Sequence, residues 1–294
     1  MEIKKILVPT DLSPSSIKAL DVAVYIARKT SAEVVLFNVV EMALPTNLHQ
    51  QAPVDVASIV AAIDQTSQLV ALGEMKKKLI AIQKDVKNKG VRVRSEVDLD
   101  VDNVFKDISD VIALRDDCDL IVMGTKGVSG IEEFFIGSNT ERVVRNAALP
   151  VIAVKFCEED FQIRRILYAT DFEEIKNDVF KFLAYFSDIF DAKIDLVFVN
   201  TPNFFISNQD IATKFEKLIA DNNLINAEYH IYNDFSEEKG ILNFAKEIDA
   251  DMVVMPTNGR TGLSHIFNGS IAEDVVNHAL LPILTINMNK FTLK

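Results

Sequence analysis

The chain has 294 residues, of which 49% are hydrophobic and 25% charged, and at about 100 to 200 residues per domain this length predicts two domains, each with its own core. A small disulfide-stapled module and a disordered chain are both excluded. Asp and Glu outnumber Lys and Arg by 43 to 31, and the net charge of −12 opposes binding to a nucleic-acid backbone or an anionic membrane surface. A single small anion is not excluded, because a helix N-terminus can bind one against the overall field.

The cysteines and the N-terminus bear on the compartment. Cys118 and Cys157 have no CxxC partner, and the four histidines are scattered, which argues against a disulfide framework or a metal site. No signal-peptide pattern precedes the first apolar run, and no apolar stretch approaches about 18 residues. We therefore expect a cytoplasmic protein that binds neither nucleic acid nor a membrane.

Apolar runs rich in β-branched residues alternate with helical patterns along the first half. The predicted strands are 6–8, 34–40, 91–97, 120–123 and 151–154. Apolar residues at helical spacing predict helices over 17–27, 75–86 and 104–112. Between the second strand and the second helix, the polar stretch 43–70 predicts a long loop with a short helix.

The chain contains an internal repeat. Residues 4–11 match residues 164–171 at an offset of 160, whereas residues 119–123 match 251–255 at an offset of 132. The first half is thus 28 residues longer, and we assign most of this surplus to an insertion at about 43–70. These matches predict a first domain over 1–156 and a second over 163–294, joined by a short acidic bridge.

The second half repeats the alternation of strands and helices. Val179, Phe182 and Phe186 form one helical stripe, and alternating residues over 227–231 predict a strand. Strand–helix alternation predicts parallel strands with right-handed crossovers. The predicted fold is therefore α/β, with two tandem open doubly wound, Rossmann-like sheets of about five strands each and helices on both faces. Such sheets bind ligands beyond the carboxyl ends of their strands.

Asp11 follows the first predicted strand directly and recurs as Asp171 in the second half. A carboxylate at this place can accept hydrogen bonds from a ribose hydroxyl or an exocyclic amine. It can equally form the turn or cap that starts the next helix. The recurrence fits both interpretations, so position alone leaves them open.

A glycine-containing segment follows the fourth predicted strand. Gly124 and Gly127 permit positive φ angles and close approach to a ligand, and residues 137–140 offer amides and hydroxyls at a helix N-terminus. The alternative is a flexible loop that ends in a helix capped by Ser138. Neither GxxxxGK[ST] nor GxGxxG occurs, so P-loop and dinucleotide-binding chemistry are not indicated.

The spacing Gly124-x2-Gly127-x9-Gly137-Ser138 resembles the signature of ATP-binding universal stress proteins, and the order of elements resembles that family throughout the chain. The resemblance implies ATP as ligand, with Mg²⁺ on the phosphates as an option. Asn139 departs mildly from the family, which usually has an apolar residue there. The site residues that the resemblance implies are Pro9, Thr10, Asp11, Val40, Met123, Gly124, Gly127, Gly137, Ser138, Asn139 and Thr140.

The second half departs further from that signature. Pro256 stands where Gly124 stands in the first half, Ala272 replaces Thr140, and we align Pro202 with Val40. Proline fixes φ and removes an N–H donor, so we expect one working site and one degenerate site. In the family the last strands of two domains pair, which predicts that 151–154 and 283–286 join the halves as a pseudo-dimer; a further homo-dimer is an option.

The resemblance implies a cytoplasmic stress-response protein that binds ATP in its first domain. It would act as a nucleotide-dependent binding or regulatory module on an unknown protein partner. Two alternatives stay open at this point: a slow ATP hydrolase, and a partner-binding protein that binds no nucleotide. The sequence singles out no catalytic residue.

Overall fold

The computed structural model of the chain describes residues 2–41, 56–100, 108–125, 137–158, 160–172, 175–257 and 270–293. The elements of the first half are β1 Lys5–Pro9, α1 Pro14–Thr30, β2 Glu33–Glu41, α2 Val56–Asn88, β3 Arg92–Asp100, α3 Ile108–Ala113, β4 Leu120–Gly124, α4 Ser138–Asn146 and β5 Val151–Val154. Those of the second half are β6 Arg165–Ala169, α5 Asn177–Phe190, β7 Lys193–Asn200, α6 Asn208–Asn222, β8 Ala227–Asn233, α7 Glu237–Glu247, β9 Met252–Thr257, α8 Ser270–His278 and β10 Ile283–Asn287. Within these ranges no helix is long and apolar enough to cross a membrane.

The strands form one ten-stranded sheet in the order β3-β2-β1-β4-β5-β10-β9-β6-β7-β8. All pairs within each half are parallel, whereas β5 and β10 pair antiparallel, with Ile152 opposite Leu284. The expected pairing of the last strands is confirmed, and so is the α/β class. In each half the strand order reverses beside the first strand, between β1 and β4 and between β6 and β9, which is where such sheets open a ligand crevice.

The sheet registers locate the additional residues of the first half. The equivalent pairs β1–β2 and β6–β7 are related by the offset of 160, since Lys5 faces Glu33 and Arg165 faces Lys193. Across the next pair, Val93 and Ala227 are equivalent, at an offset of 134. The difference of 26 residues therefore arises between the second and third strands of the half.

Helix α2 corrects the prediction for residues 43–70. From Val56 onward this segment is helical and continues without a break into the helix predicted at 75–86, so that α2 has 33 residues against 15 in its counterpart α6. The sequence from Val56 to Leu72 has no glycine or proline to end a helix, and its many Ala, Gln and Leu residues have good helix propensity. The prolines and glutamines in the earlier part of the stretch 43–70 masked this signal. Residues 42–55 lie outside the described part of the chain.

Apolar side chains cover both faces of the sheet. One large core lies under α1, α2, α5 and α6 and is continuous across both halves, and a smaller core lies under the remaining helices of each half. Tyr25 of α1 stacks on Phe190 of α5 with ring centroids 5.4 Å apart, and its hydroxyl accepts a hydrogen bond from the Ile163 amide. A stacked aromatic pair adds about 1 kcal/mol to the burial energy. This face thus fixes the two halves to each other.

On the opposite face, α4 and α8 meet through a charged contact. Arg145 Nε donates to Glu273 Oε1 at 2.8 Å, and the same guanidinium also bonds Glu141. Asn287 of β10 donates to the Arg145 carbonyl at 3.0 Å. The C-terminal end of α4 is therefore held by the second half.

Candidate functional site

The turn between β1 and α1 is built around Thr10. The buried Thr10 continues the β1–β2 ladder, with its amide donating to the Phe37 carbonyl at 2.8 Å. Its hydroxyl accepts from the Leu12 amide at 3.1 Å and shares a hydrogen bond with Ser16 Oγ at 3.0 Å. Leu12 has a φ of +64°, so the chain reverses sharply there before Ser13 caps α1. These bonds fix the backbone on both sides of the intervening residue.

That residue, Asp11, is exposed at the carboxyl end of β1. Its Oδ1 accepts from the Ser13 amide at 3.0 Å, as in a turn-forming aspartate. Partial burial acts to raise the pKa of Asp11, but hydrogen bonds from Ser13 and Ser16 outweigh it, and the pKa lies below its ordinary value. Asp11 is therefore an ionised acceptor held in a fixed turn, and the two interpretations left open by the sequence are compatible.

Gly124 ends β4 against the first turn of α1. A Cβ atom at this position would lie 2.4 Å from Ser15 Oγ and 2.7 and 2.8 Å from the Ser15 backbone carbon and oxygen. Gly124 does not use the positive φ that glycine permits, because among the described glycines that conformation belongs to Gly90. Glycine is required here because the backbones of β4 and α1 approach too closely for any side chain.

Helix α4 starts beside the end of β4. Gly137 is its N-cap, with a φ of −64° and no side-chain cap, so the alternative in which Ser138 caps the helix is wrong. The Gly137 amide donates to the Thr125 carbonyl at 2.6 Å, and Thr140 Oγ1 donates to the Gly124 carbonyl at 2.8 Å. These two bonds hold the N-terminus of α4 against the strand end, where its amides can bind an anion.

The structure brings most of the expected site residues to one edge of the sheet. Pro9 ends β1 and is followed by Thr10 and Asp11, and Met123 and Gly124 end the neighbouring strand β4. Around them, α4 begins with Ser138 and Asn139, both exposed, and with the buried Thr140. Val40 lies near the end of β2, opposite Leu99 of β3. Gly127 lies outside the described residues.

Sequence reasoning missed two buried polar residues at this edge. Asn38 of β2 donates from Nδ2 to the Thr10 carbonyl at 2.5 Å, and its Oδ1 has no hydrogen-bond partner among the described residues. Thr125, just after β4, is buried, and its hydroxyl has no partner in that part of the chain either. The signal for Asn38 was present, because it is one polar residue inside the apolar run 34–40.

The second half keeps the turn but not the register that we assumed. The Thr170 amide donates to the Val197 carbonyl at 3.0 Å, and Phe172 has a φ of +63°, as in the first half. The alignment of Pro202 with Val40 is wrong: the offset of 160 that relates the β1–β2 and β6–β7 registers assigns Asn200 to that position. The local sequences are too different there to fix the alignment without the strand pairing.

Aromatic side chains replace a polar residue and a leucine at the edge of the second half. At the offset of 160, Phe198 is equivalent to Asn38, and Phe172 to Leu12. The Phe172 ring stacks on Phe198 with centroids 5.5 Å apart and meets Phe215 edge-on at 4.6 Å. The strand end that carries Asp171 is therefore packed with rings.

A second polar group lies within the second half, away from this edge. Asp195, Glu228 and His230 offer ligand atoms within 4.8 Å of one another, the geometry of a possible metal site. The fully buried Asp195 is, however, bonded by Arg165 Nε at 2.7 Å and by His230 at 2.8 Å, and Lys193 bonds Glu228 at 2.6 Å. Burial acts to raise the pKa of Asp195, but the hydrogen bonds from Arg165 and His230 outweigh it and lower the pKa. The group is a charge-balanced network, in which a cation would have to displace Lys193 or Arg165.

Comparison with known proteins identifies the family. A sequence model of the universal stress protein family matches residues 2–155 and 162–287. The chain belongs to the universal stress protein family. It carries two universal stress domains in tandem, and their shared sheet is the ten-stranded sheet described above.

Some relatives match about half of the chain, and one solved structure matches nearly all of it. Universal stress protein MJ0531 of Methanocaldococcus jannaschii is 32% identical over 152 residues, which are 52% of this chain and 82% of that protein. Universal stress protein MJ0577 of the same organism is 28% identical over 163 residues, 52% of this chain and 94% of that protein. A universal stress protein structure from Archaeoglobus fulgidus superposes with a TM-score of 0.72 at 17% identity, over 98% of this chain and 100% of the other. That likeness supports the fold.

Proposed function

We propose that the first domain binds ATP and that the protein works as a nucleotide-dependent binding module. The observation that carries the proposal is the junction of β1, β4 and α4. There an ionised carboxylate, Asp11, follows β1, and the N-terminus of the nine-residue helix α4, which has no side-chain cap, is bonded to the end of the neighbouring strand β4. A nucleotide combines a ribose, whose hydroxyls suit the carboxylate, with phosphates, which suit the helix amides.

The residues at this edge have the donors and acceptors that such a ligand needs. The buried Thr125 hydroxyl has no partner within the described chain, and a phosphate oxygen or its water would supply one. Ser138 and Asn139 are exposed in the first turn of α4, where backbone N–H groups are unpaired within the helix. When bound, ATP would bring phosphate charge and with it Mg²⁺. Among the described residues, we propose that the bound ATP is held by Asp11, Gly124, Gly137 and Thr140.

The pKa of Asp11 favours binding over hydrolysis. Asp11 is the one ionisable residue among the described residues at the ends of β1 and β4. A general base works best with a pKa near the ambient pH, whereas hydrogen bonds lower the pKa of Asp11. Asp11 is thus suited to accept hydrogen bonds rather than to take a proton from water. We propose a cytoplasmic regulatory role in which nucleotide binding at the first domain alters contact with a protein partner.

The test is the nucleotide content of freshly purified protein, measured by denaturing release and chromatography, with calorimetric titration of ATP. Asp11→Asn is compared with the matched variant Asp171→Asn in the second domain. We expect stoichiometric ATP that Asp171→Asn retains and Asp11→Asn binds at least tenfold more weakly. Gly127→Pro removes a backbone donor from the same loop, as Pro256 does at the position of Gly124, and should also lose ATP. No nucleotide and no uptake would favour the partner-binding alternative, and steady ADP production would favour the hydrolase.

A further inference from the structure

A buried amide oxygen beside the proposed ATP site has no hydrogen-bond partner among the residues that the structure describes. Asn38 is 6% exposed, and its Nδ2 is committed to the Thr10 carbonyl at 2.5 Å, which fixes the orientation of the amide. Its Oδ1 has no partner in the described chain. Buried acceptors in native proteins are nearly always satisfied by protein, water or ligand. The free oxygen therefore marks a place where a further donor belongs.

This oxygen lies at the ligand edge of the sheet rather than in the middle of the core. β1 ends at Pro9, which faces Phe37, so Asn38 is the first residue of β2 beyond the end of β1. Its amide touches Thr10, the residue directly before Asp11. Asn38 thus borders the same turn that presents the Asp11 carboxylate.

The internal repeat gives a second, independent observation. The residue equivalent to Asn38 in the second domain is Phe198, which is 1% exposed and stacks on Phe172. That domain also has Pro256 in place of Gly124. The amide is therefore present in the domain whose glycine signature is complete, and an aromatic ring fills its place in the domain whose signature is broken.

We propose that Asn38 Oδ1 accepts a hydrogen bond from the nucleoside part of the bound nucleotide and thereby determines specificity at this site. The inference rests on the proposed function. At neutral pH the triphosphate offers no strong donor, whereas adenosine offers its ribose hydroxyls and its exocyclic amine. Asn38 would accordingly contribute to recognition of the nucleoside, while α4 contributes to binding of the phosphates.

The experiment pairs ligand analogues with variants of the full chain. ATP, 2′-deoxy-ATP, 3′-deoxy-ATP and purine riboside triphosphate, which lacks the amine, are titrated calorimetrically into wild type, Asn38→Leu and Asn38→Asp. In wild type, the analogue that lacks the contacting donor should bind about tenfold more weakly than ATP. Asn38→Leu should bind ATP about tenfold more weakly and no longer discriminate against that analogue. Asn38→Asp keeps an acceptor and should still discriminate.

The controls separate this inference from the proposed function. Phe198→Leu changes the equivalent position of the second domain and should leave ATP affinity unchanged. If Asn38→Leu does not fold, as judged by circular dichroism, wild type alone still tests the inference, because equal affinity for ATP and for all three analogues would overturn it. Wild type that binds no ATP would overturn the proposed function. Wild type that binds ATP, with the same discrimination between ATP and the analogues in Asn38→Leu, would overturn the role of Asn38 alone.

Discussion

Replacing Gly124 with alanine tests the close approach of β4 to α1. The added Cβ would lie 2.7 and 2.8 Å from the backbone carbon and oxygen of Ser15. Restoring an ordinary contact of about 3.5 Å requires the two backbones to separate by roughly 0.7 Å. Because backbone atoms rather than a flexible side chain must move, we expect a loss of about 3 kcal/mol in the free energy of unfolding, the upper end for overpacking.

The matched control is Gly73→Ala in α2. A Cβ atom at Gly73 meets nothing within 4 Å, and alanine is favoured over glycine inside a helix by about 1 kcal/mol. The same substitution should thus destabilise at one position and stabilise at the other. Urea unfolding followed by circular dichroism measures both, and calorimetry should show ATP affinity at least tenfold lower in Gly124→Ala and unchanged in Gly73→Ala.

The results that would refute this reasoning are specific. If Gly124→Ala were as stable as wild type while Gly73→Ala gained stability, the contact with Ser15 would not constrain the fold. If Gly124→Ala lost stability but kept full ATP affinity, the strand end would be required for folding and would not form part of the nucleotide site.

Three further predictions concern individual side chains. Thr140→Val removes the hydroxyl that donates to the Gly124 carbonyl at the end of β4, so the free energy of unfolding should fall by about 1 kcal/mol and the ATP affinity about tenfold. Thr213→Val on the exposed face of α6 is the control. Unchanged ATP affinity in Thr140→Val would contradict the proposed phosphate site. Asp195→Asn should lower stability by about 3 kcal/mol near neutral pH. Because the native pKa of Asp195 is lowered, this stabilisation is complete above the unfolded pKa of about 3.9 and is lost as the pH falls through the native pKa. A difference in urea midpoint between wild type and Asp195→Asn that persists in strong acid would contradict this prediction. Burial raises the pKa values of Cys118 and Cys157 to about 11, so both thiols should resist alkylation at neutral pH until the chain unfolds, and fast labelling of native protein would contradict their burial.

The fold followed from patterns that depend on burial. A strand covered on both faces must be apolar throughout, as over 34–37, and an amphipathic helix must repeat every 3.6 residues, as over 17–27. The antiparallel β5–β10 pair followed from the family resemblance. The helix over 56–70 was missed because it depends on propensity and on the absence of breakers, and because the prolines and glutamines that precede it indicated a loop.

The site was less predictable because it depends on distances between segments. A glycine in the sequence does not reveal whether it serves a positive φ or a tight contact, and for Gly124 only the position of Ser15 decides. Equivalence between the repeats is similarly a matter of strand register, which assigned Asn200 rather than Pro202 to the position of Val40. Asn38 could have been identified as a polar residue in a buried strand, but its unpaired oxygen could not.

The antiparallel pairing of β5 with β10 joins two domains of one polypeptide, and a short connecting segment also links them along the chain. The two domains are therefore always at a high effective concentration relative to each other, and dilution does not separate them as it separates subunits. The two domains are also encoded by different parts of one gene, so a mutation that changes a residue in one domain leaves the equivalent residue of the other unchanged. A homo-dimer that loses a ligand residue loses it twice, whereas this chain can keep one competent domain beside an aromatic-filled one. A stoichiometry of one ligand per two domains would thus follow from the sequences of the domains and would require no negative cooperativity between two sites.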